Sequence, residues 1–220
     1  MISIVIPALD AAATLPATLA AVAGAGEIIV VDGGSSDNGP DIARWAGARV
    51  IAAPRGRGTQ LRAGAEEARG EFLLFLHADT FLAPSWHQCA EKFMDDFSCA
   101  ETAAVFRFAL DDDSRAARRL ERLVARRTRF FGLPYGDQAL LISRGFYRKL
   151  GGFRPLPLME DVDFIRRVGR GKIVVLPAEA RTSAARWRRE GFFLRSARNL
   201  LCLALYFLGV PPETIKKLYG

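Results

Sequence analysis

Continuous apolar runs alternate with Ala-rich stretches through the first hundred positions. ISIVIP, EIIVVD, ARVIAAP and EFLLFLHAD read as strands, with TLPATLAAVAG, SDNGPDIARWAG and GTQLRAGAEEARG as the helices between them. The strands lack polar alternation, as parallel strands covered on both faces should. Gly24 and Gly70 can end two of the helices, and Ser36 or Asp37 can cap the start of another. This order predicts an α/β fold with a doubly wound, mostly parallel sheet. Its ligand crevice should lie at the carboxyl ends of the strands.

The pattern changes after residue 100. ETAAVFRFAL predicts a strand and Arg115 to about Arg129 a basic helix. YGDQALLISRGFYRKLGGF reads as strand, helix and Gly-Gly turn, EDVDFIRRVGR as a helix and KIVVLP as a strand. Two helices, from Gly191 to about Leu208 and from Pro212 to Leu218, form a tail divided by Pro211-Pro212. No internal repeat or low-complexity linker interrupts the chain, so residues 1–220 are expected to form one domain.

Half of the residues are hydrophobic, which suits a sizeable core and excludes a disordered chain. The 31 Lys and Arg against 24 Asp and Glu leave a net charge of +7, which favours anionic partners. Nucleic acid is disfavoured because the arginine clusters lack interleaved aromatics. Cys89, Cys99 and Cys202 are an odd number without metal-site spacing, as expected of free thiols in a reducing compartment. The N-terminus lacks the basic region of a signal peptide, and NLLCLALYFLGV falls short of the roughly 20 residues of a membrane span. A cytoplasmic protein is expected, with a surface able to lie against the inner face of the membrane.

Carboxylates gather at the predicted strand ends: Asp10 after the first, Asp32 after the second and Asp79 after the fourth. Each alone is also a good turn former. In VVDGGSSD, Asp32 precedes two glycines that allow a tight turn and a close ligand, so its carboxylate could accept from a nucleobase or ribose. An Asx-capped turn is the alternative. Asp79 can hold a hard divalent cation on a diphosphate, and His77 lies on the same side of an extended chain. A partly buried strand-end histidine is an equal alternative for His77. In PLMEDVDF, only one of the adjacent acids Glu160 and Asp161 can point at a given atom, where it could take a proton from an attacking hydroxyl.

Taken in order, SIVIPALD, IIVVDGGSSD, RGRGTQLRAGAEEARGEFLLFLHADT, GDQALLISR, GGF and PLMEDVDF resemble a family 2 glycosyltransferase of the GT-A fold. HADT, GDQ, PLMEDV and TSAARW are most similar to the small bacterial radical-SAM/selenodomain-associated branch. The likeness runs from Ser3 to about Tyr219. It implies an inverting transfer from a nucleotide-diphosphate sugar, expected to be a UDP-sugar, to an acceptor hydroxyl. It implies a nucleotide-binding half over about 1–100, an acceptor half over about 101–190 and a helical tail over about 191–220.

The resemblance assigns roles by position. Pro7, Asp32 and Gly33 would line the nucleoside pocket, Gly33 standing where many members carry a second Asp. Asp79 would hold Mn²⁺ or Mg²⁺ on the diphosphate, with His77 in place of the metal motif's first acid. Asp161 would be the general base, with Glu160 supporting it or touching the acceptor. Gly136, Asp137 and Gln138 would face the sugar or acceptor, and Arg186 and Trp187 would close near the diphosphate and acceptor. Arg55 and Arg57, in a Gly-rich loop, are phosphate candidates by chemistry. Arg62 is read as solvating a helix face.

The arginines from Arg115 to Arg126 follow helical spacing and suit a solvated face, or else an anionic membrane or phosphorylated acceptor. The apolar tail is expected to pack on the domain or form a homodimer, ahead of contact with a bilayer. Nucleotidyl transfer is the rival enzymatic reading. PALDAAATLP, after the first strand, lacks the Lys or Arg that it usually needs. A non-catalytic nucleotide- or polyanion-binding protein is the third.

Overall fold

All seven residues of β1 (Ile2–Ala8) are buried, because this strand has parallel neighbours on both sides and helices over both faces. The computed structural model describes residues 1–219. After β1 come α1 (Leu15–Val22), β2 (Glu27–Asp32), α2 (Gly39–Trp45), β3 (Arg49–Ala52), α3 (Arg57–Glu67), β4 (Phe72–Phe75), β5 (Thr80–Leu82), α4 (Trp86–Met94) and β6 (Ala103–Leu110). The chain continues through α5 (Arg115–Phe131), β7 (Leu140–Ser143), α6 (Arg144–Lys149), α7 (Glu160–Val168), β8 (Ile173–Thr182), α8 (Ala185–Glu190), α9 (Phe192–Phe207) and α10 (Pro212–Tyr219).

One eight-stranded sheet runs in the order β3-β2-β1-β4-β7-β6-β8-β5. The β3-β2-β1-β4 half is parallel; β7 runs antiparallel to β4 and β6, and β5 antiparallel to β8. Successive β1 side chains take opposite faces. Ile4 and Ile6 pack with Leu15, Leu19 and Trp86, whereas Val5 packs with Leu61, Phe75 and Phe164 on the other side. Each large side chain removed from water in this way contributes about 1.5–3 kcal/mol. Gly64 lets α3 lie flush on the sheet, since a Cβ there would overlap Val5 and Val31.

Three local expectations are corrected. The second helix begins at Gly39, with Asn38 rather than Ser36 or Asp37 at the cap position. The Asp37 carboxylate instead accepts from the N–H groups of Ala12 (2.8 Å) and Gly39 (3.0 Å), which ties two loops together. The fourth strand ends at Phe75, not Asp79. The chain turns over His77–Thr80, where Thr80 N–H donates to the His77 carbonyl at 3.1 Å, as in a β-turn. It then enters β5, a three-residue strand too short to carry a sequence pattern. α4 and α8 also lie where no helix was expected.

The tail packs on the domain. Cys202 and Ile215 are fully buried against Leu158, Met159 and Val162 at the start of α7. Its outer face leaves Phe193, Leu200, Leu201 and Leu208 exposed. No helix among the described residues is long and apolar enough to cross a membrane.

Candidate active site

Two adjoining cavities open at the carboxyl ends of β1 and β4. The outer one, of about 440 Å³, is lined by Pro7, Asp10, Arg55, Gln60 and Lys216, among others. The inner one, of about 110 Å³, is lined by Tyr135, Asp137, Asp161, Trp187, Arg195, Asn199 and Tyr219, among others. Arg57, His77, Asp79, Ser183 and Arg186 form walls of both. The turn after β4 and the end of β8 are joined where Ser183 N–H donates to the Asp79 carbonyl (3.0 Å) and the Thr80 and Thr182 hydroxyls meet. Asp79 and Arg186 therefore share one rigid seam.

The inner floor depends on Gly136. A Cβ there would lie 2.5 Å from His77 Nε2 and 3.5 Å from Asp161 Oδ2. Without one, Gly136 N–H donates to Asp161 Oδ2 at 2.8 Å. The N–H of Val162 donates to Asp161 Oδ1 at 2.7 Å. Asp161 is thus oriented by main chain at the start of α7, where the helix end favours negative charge. Among the described residues, the only non-glycine residues with positive φ are Asp10 (49°), Ala139 (50°) and Met159 (65°). Asp10 and Met159 line the cavities, and Ala139 follows the Gly136–Gln138 turn. Such left-handed residues cost about 1–3 kcal/mol each and persist where surrounding structure holds them.

Burial separates the charge states of the inner groups. Burial, with Arg57 beside it, lowers His77 to about 4, so its imidazole is neutral at pH 7. Burial raises Asp137 to about 6, and the Asp161 and Asp79 carboxylates push the same way. Burial also raises Tyr135 to about 12; its ring lies 3.4 Å from the Arg127 guanidinium carbon. Glu160 is raised by burial, which outweighs the opposing pull of Arg57, its partner at 3.1 Å.

Pro7, Arg55, Arg57, His77, Asp79, Gly136, Asp137, Asp161, Arg186 and Trp187 are all brought to the two cavities. Four residues stand elsewhere. Asp32 lines neither cavity. Its carboxylate accepts from Ser35 Oγ (2.6 Å), Ser35 N–H (3.1 Å) and Gly34 N–H (3.1 Å), an Asx-type turn. Gly33 serves close packing: a Cβ would meet the Gln60 amide at 3.0 Å, and its N–H donates to the Ala8 carbonyl at 2.9 Å. Gln138 is buried away from the chamber, donating to the Phe106 carbonyl (3.0 Å) and accepting from Thr128 Oγ (2.9 Å). Glu160 is 1% exposed and turned onto Arg57, which it positions. Arg62 pairs with Glu66 on an exposed helix face, as expected.

Sequence reasoning missed Gln60, Lys216, Arg195, Asn199 and Tyr219. Gln60 Nε2 donates to the carbonyls of Ala8 and Val31, both at 2.8 Å, and so staples the ends of β1 and β2. One signal for the tail residues existed: Arg195 and Asn199 are polar positions four apart, on one face of an apolar helix.

Among the described residues no group of three His, Cys, Asp or Glu side chains is arranged to hold a metal. Asp79 with the neutral His77 beside it offers a smaller donor set. That suits a hard cation whose remaining ligands come from water and from phosphate oxygens. The fit therefore depends on an oxygen-rich ligand in the outer cavity.

The model of glycosyl transferase family 2 matches residues 3–150. Relatives include PGL/p-HBAD biosynthesis glycosyltransferases of Mycobacterium tuberculosis H37Rv and Mycobacterium bovis, 41% identical over 93 residues. That match covers 37% of this chain and 36% of each relative, so the chain spans about a third of their length. Staphylococcus aureus TarS, solved with UDP-GlcNAc, superposes with a TM-score of 0.65 at 16% identity, covering 83% of this chain and 58% of that one. Mycobacterium tuberculosis glucosyl-3-phosphoglycerate synthase was solved with Mn²⁺, UDP and glucosyl-3-phosphoglycerate. It gives 0.64 at 20% identity, covering 96% of this chain and 81% of the other. The architecture is the GT-A fold. With the family model matching about two thirds of its length, from the first strand through α6, the chain belongs to glycosyl transferase family 2.

Proposed function

We infer that this chain transfers a sugar from a UDP-sugar to an acceptor hydroxyl, with inversion at the anomeric carbon. The observation that carries this reading is the shared wall. Arg57, Asp79 and Arg186 stand between an outer cavity large enough for a nucleotide and an inner chamber holding Asp161. The UDP-bearing structures of TarS and glucosyl-3-phosphoglycerate synthase support the choice of nucleotide.

Pro7, Arg55 and Lys216, which line the outer cavity, hold the nucleotide, and Arg57 and Arg186 offset the diphosphate charge. Asp161 takes the acceptor proton while the acceptor oxygen bonds to the anomeric carbon and the bond to the diphosphate oxygen breaks. Inversion follows from attack opposite the leaving group with one base. A Mn²⁺ or Mg²⁺ at Asp79, with neutral His77 beside it, would neutralise further charge on the departing diphosphate. Exposed Phe130 and Phe131, beside the arginines of α5, support a separate peripheral contact with anionic membrane.

Calorimetric titration of UDP against GDP, with Mn²⁺ and then with EDTA, tests the donor site. Metal-dependent UDP binding is expected. Binding of neither nucleotide under any condition would sink the assignment.

A further inference from the structure

The inner chamber has a roof that the matched family region does not supply. Arg195, Asn199 and Tyr219 belong to α9 and α10, beyond residue 150. Their packing is built rather than incidental. Arg195 Nη2 donates to Tyr219 Oη at 3.1 Å and Arg195 Nη1 to Glu190 at 2.9 Å, while Arg198 Nη1 donates to the Tyr219 carbonyl at 3.2 Å. Arg195 is 5% exposed, and its guanidinium carbon lies 5.2 Å from the Trp187 ring centre. Cys202 and Ile215, both fully buried, anchor the two helices on α7.

The lining carries unused hydrogen-bonding capacity. Among the described residues, four buried side-chain atoms without a partner belong to chamber residues: Asp137 Oδ1, Asn199 Oδ1, Trp187 Nε1 and Arg195 Nε. Buried polar atoms are rarely left unpaired, and a concentration of them around one cavity marks groups that a ligand or water must satisfy. Two are donors and two are acceptors, as read from the assigned amide orientation. A ligand that satisfies them presents both donors and acceptors, as hydroxyl groups do. The volume of about 110 Å³ is on the scale of a small polyol or a single sugar unit rather than of several linked sugars. The remaining units of a longer chain would lie beyond the reach of these four groups.

We propose that this chamber binds a small hydroxylated acceptor, and that Asn199 and Arg195 of the tail determine which one is taken. The proposal rests on the glycosyl-transfer reading above and deepens it, because the chamber holds Asp161 at its wall. Pro7, Arg55, Arg57 and Asp79 of the donor side then lie within residues 3–150, whereas Asn199 and Arg195 of the tail carry the choice of acceptor. Trp187 spans the two: its ring packs against Phe108 at 6.5 Å and its indole N–H is free for ligand.

The test is saturation-transfer NMR on the full chain with glycerol, methyl glucoside and maltoheptaose as probes, in the presence of UDP and Mn²⁺. UDP affinity is measured in parallel by calorimetry. Glycerol or methyl glucoside should give transfer and maltoheptaose none. Asn199→Leu should weaken the small-probe signal about tenfold, the scale of one lost buried hydrogen bond. Asn199→Asp, which keeps an acceptor oxygen, should retain it. UDP affinity should be the same in both variants. Absence of small-probe binding in a protein that binds UDP would overturn the proposal. So would equal binding of maltoheptaose, or equal loss of UDP and probe in Asn199→Leu. Failure of wild-type protein to bind UDP would instead strike the donor-site reading, and the probe arm run without nucleotide would still judge the chamber on its own.

Discussion

The outer and inner cavities share five residues but are built in opposite ways. The outer is wide and lined largely from loops after β1 and β3, with Arg55 and Lys216 as the cations it does not share. The inner is about a quarter of its volume and lined by groups whose protonation is displaced by burial. A wide basic pocket suits recognition of a charged group that keeps part of its hydration. A small polar chamber suits chemistry, because weak screening strengthens each interaction inside it. On the proposed reading, the difference teaches that the Asp79–Ser183 seam divides the residues that bind the donor from those that react.

The comparison breaks most severely if Asp161 proves dispensable. Asp161→Asn should lower the UDP-release rate about 100-fold or more, on the scale of a general base, while leaving UDP affinity intact. Steady-state turnover and calorimetry on the same sample measure both. Asp79→Ala should act on the outer cavity instead, abolishing the Mn²⁺-dependent part of UDP binding, and a titration with and without EDTA shows it. Gly136→Ala forces a Cβ to within 2.5 Å of His77 Nε2 and should cost about 1–3 kcal/mol of stability, read as a lower urea midpoint.

A subtler test sets two inner groups against each other. Asp137 is raised from 3.8 to about 6, so between those values the native state keeps a proton that the unfolded chain releases, and stability falls as pH rises. His77 is lowered from 6.5 to about 4, so the native state lacks a proton that the unfolded chain holds, and stability grows as pH rises. The two slopes oppose each other between pH 4 and 6. In EDTA, His77→Gln should therefore lose urea resistance on going from pH 4.5 to 6, and Asp137→Asn should gain it, each by up to about 2 kcal/mol. Parallel slopes in the two variants would show that the groups do not occupy separate environments. The smallest effect is expected at Asp32. Its carboxylate closes its own turn, so Asp32→Asn should change UDP affinity by no more than about twofold, the range of about 0.5 kcal/mol typical of surface changes.

Much of this architecture was legible in the sequence, and the exceptions share a cause. Continuous apolar runs reveal strands covered on both faces, and β1, β2, β6 and β7 lie where the pattern puts them. Asp79 and Asp161 come to the cavities as the sequence order suggests, Asp79 in the turn after β4 and Asp161 in the first turn of α7. The sequence leaves Asp32 open between two readings, because an aspartate before Gly-Gly reads the same whether it faces a ligand or its own turn, and here it closes its turn. Gln138 misleads because neighbours in a 3-10 turn face different directions: Asp137 enters the chamber and Gln138 enters the wall behind it. The roof was illegible because α9 meets α7 only after the whole chain has folded back, and no local spacing encodes that meeting. Gln60 is hidden likewise, since its partners lie 52 and 29 residues away.

The seam beside Asp79 also bears on the order in which the molecule assembles. Thr80 and Thr182 meet across a separation of 102 residues, and Ser183 closes on Asp79 at the same place. Contacts of such high contact order are slow to form, because the long loop must close before any interaction rewards it. The four parallel strands can pair early from nearby segments. The wall that joins the two cavities cannot exist until β8 has docked against β5. A refolding chain should therefore recover its far-ultraviolet signal before it recovers nucleotide binding, and the lag between the two reports the closing of that seam.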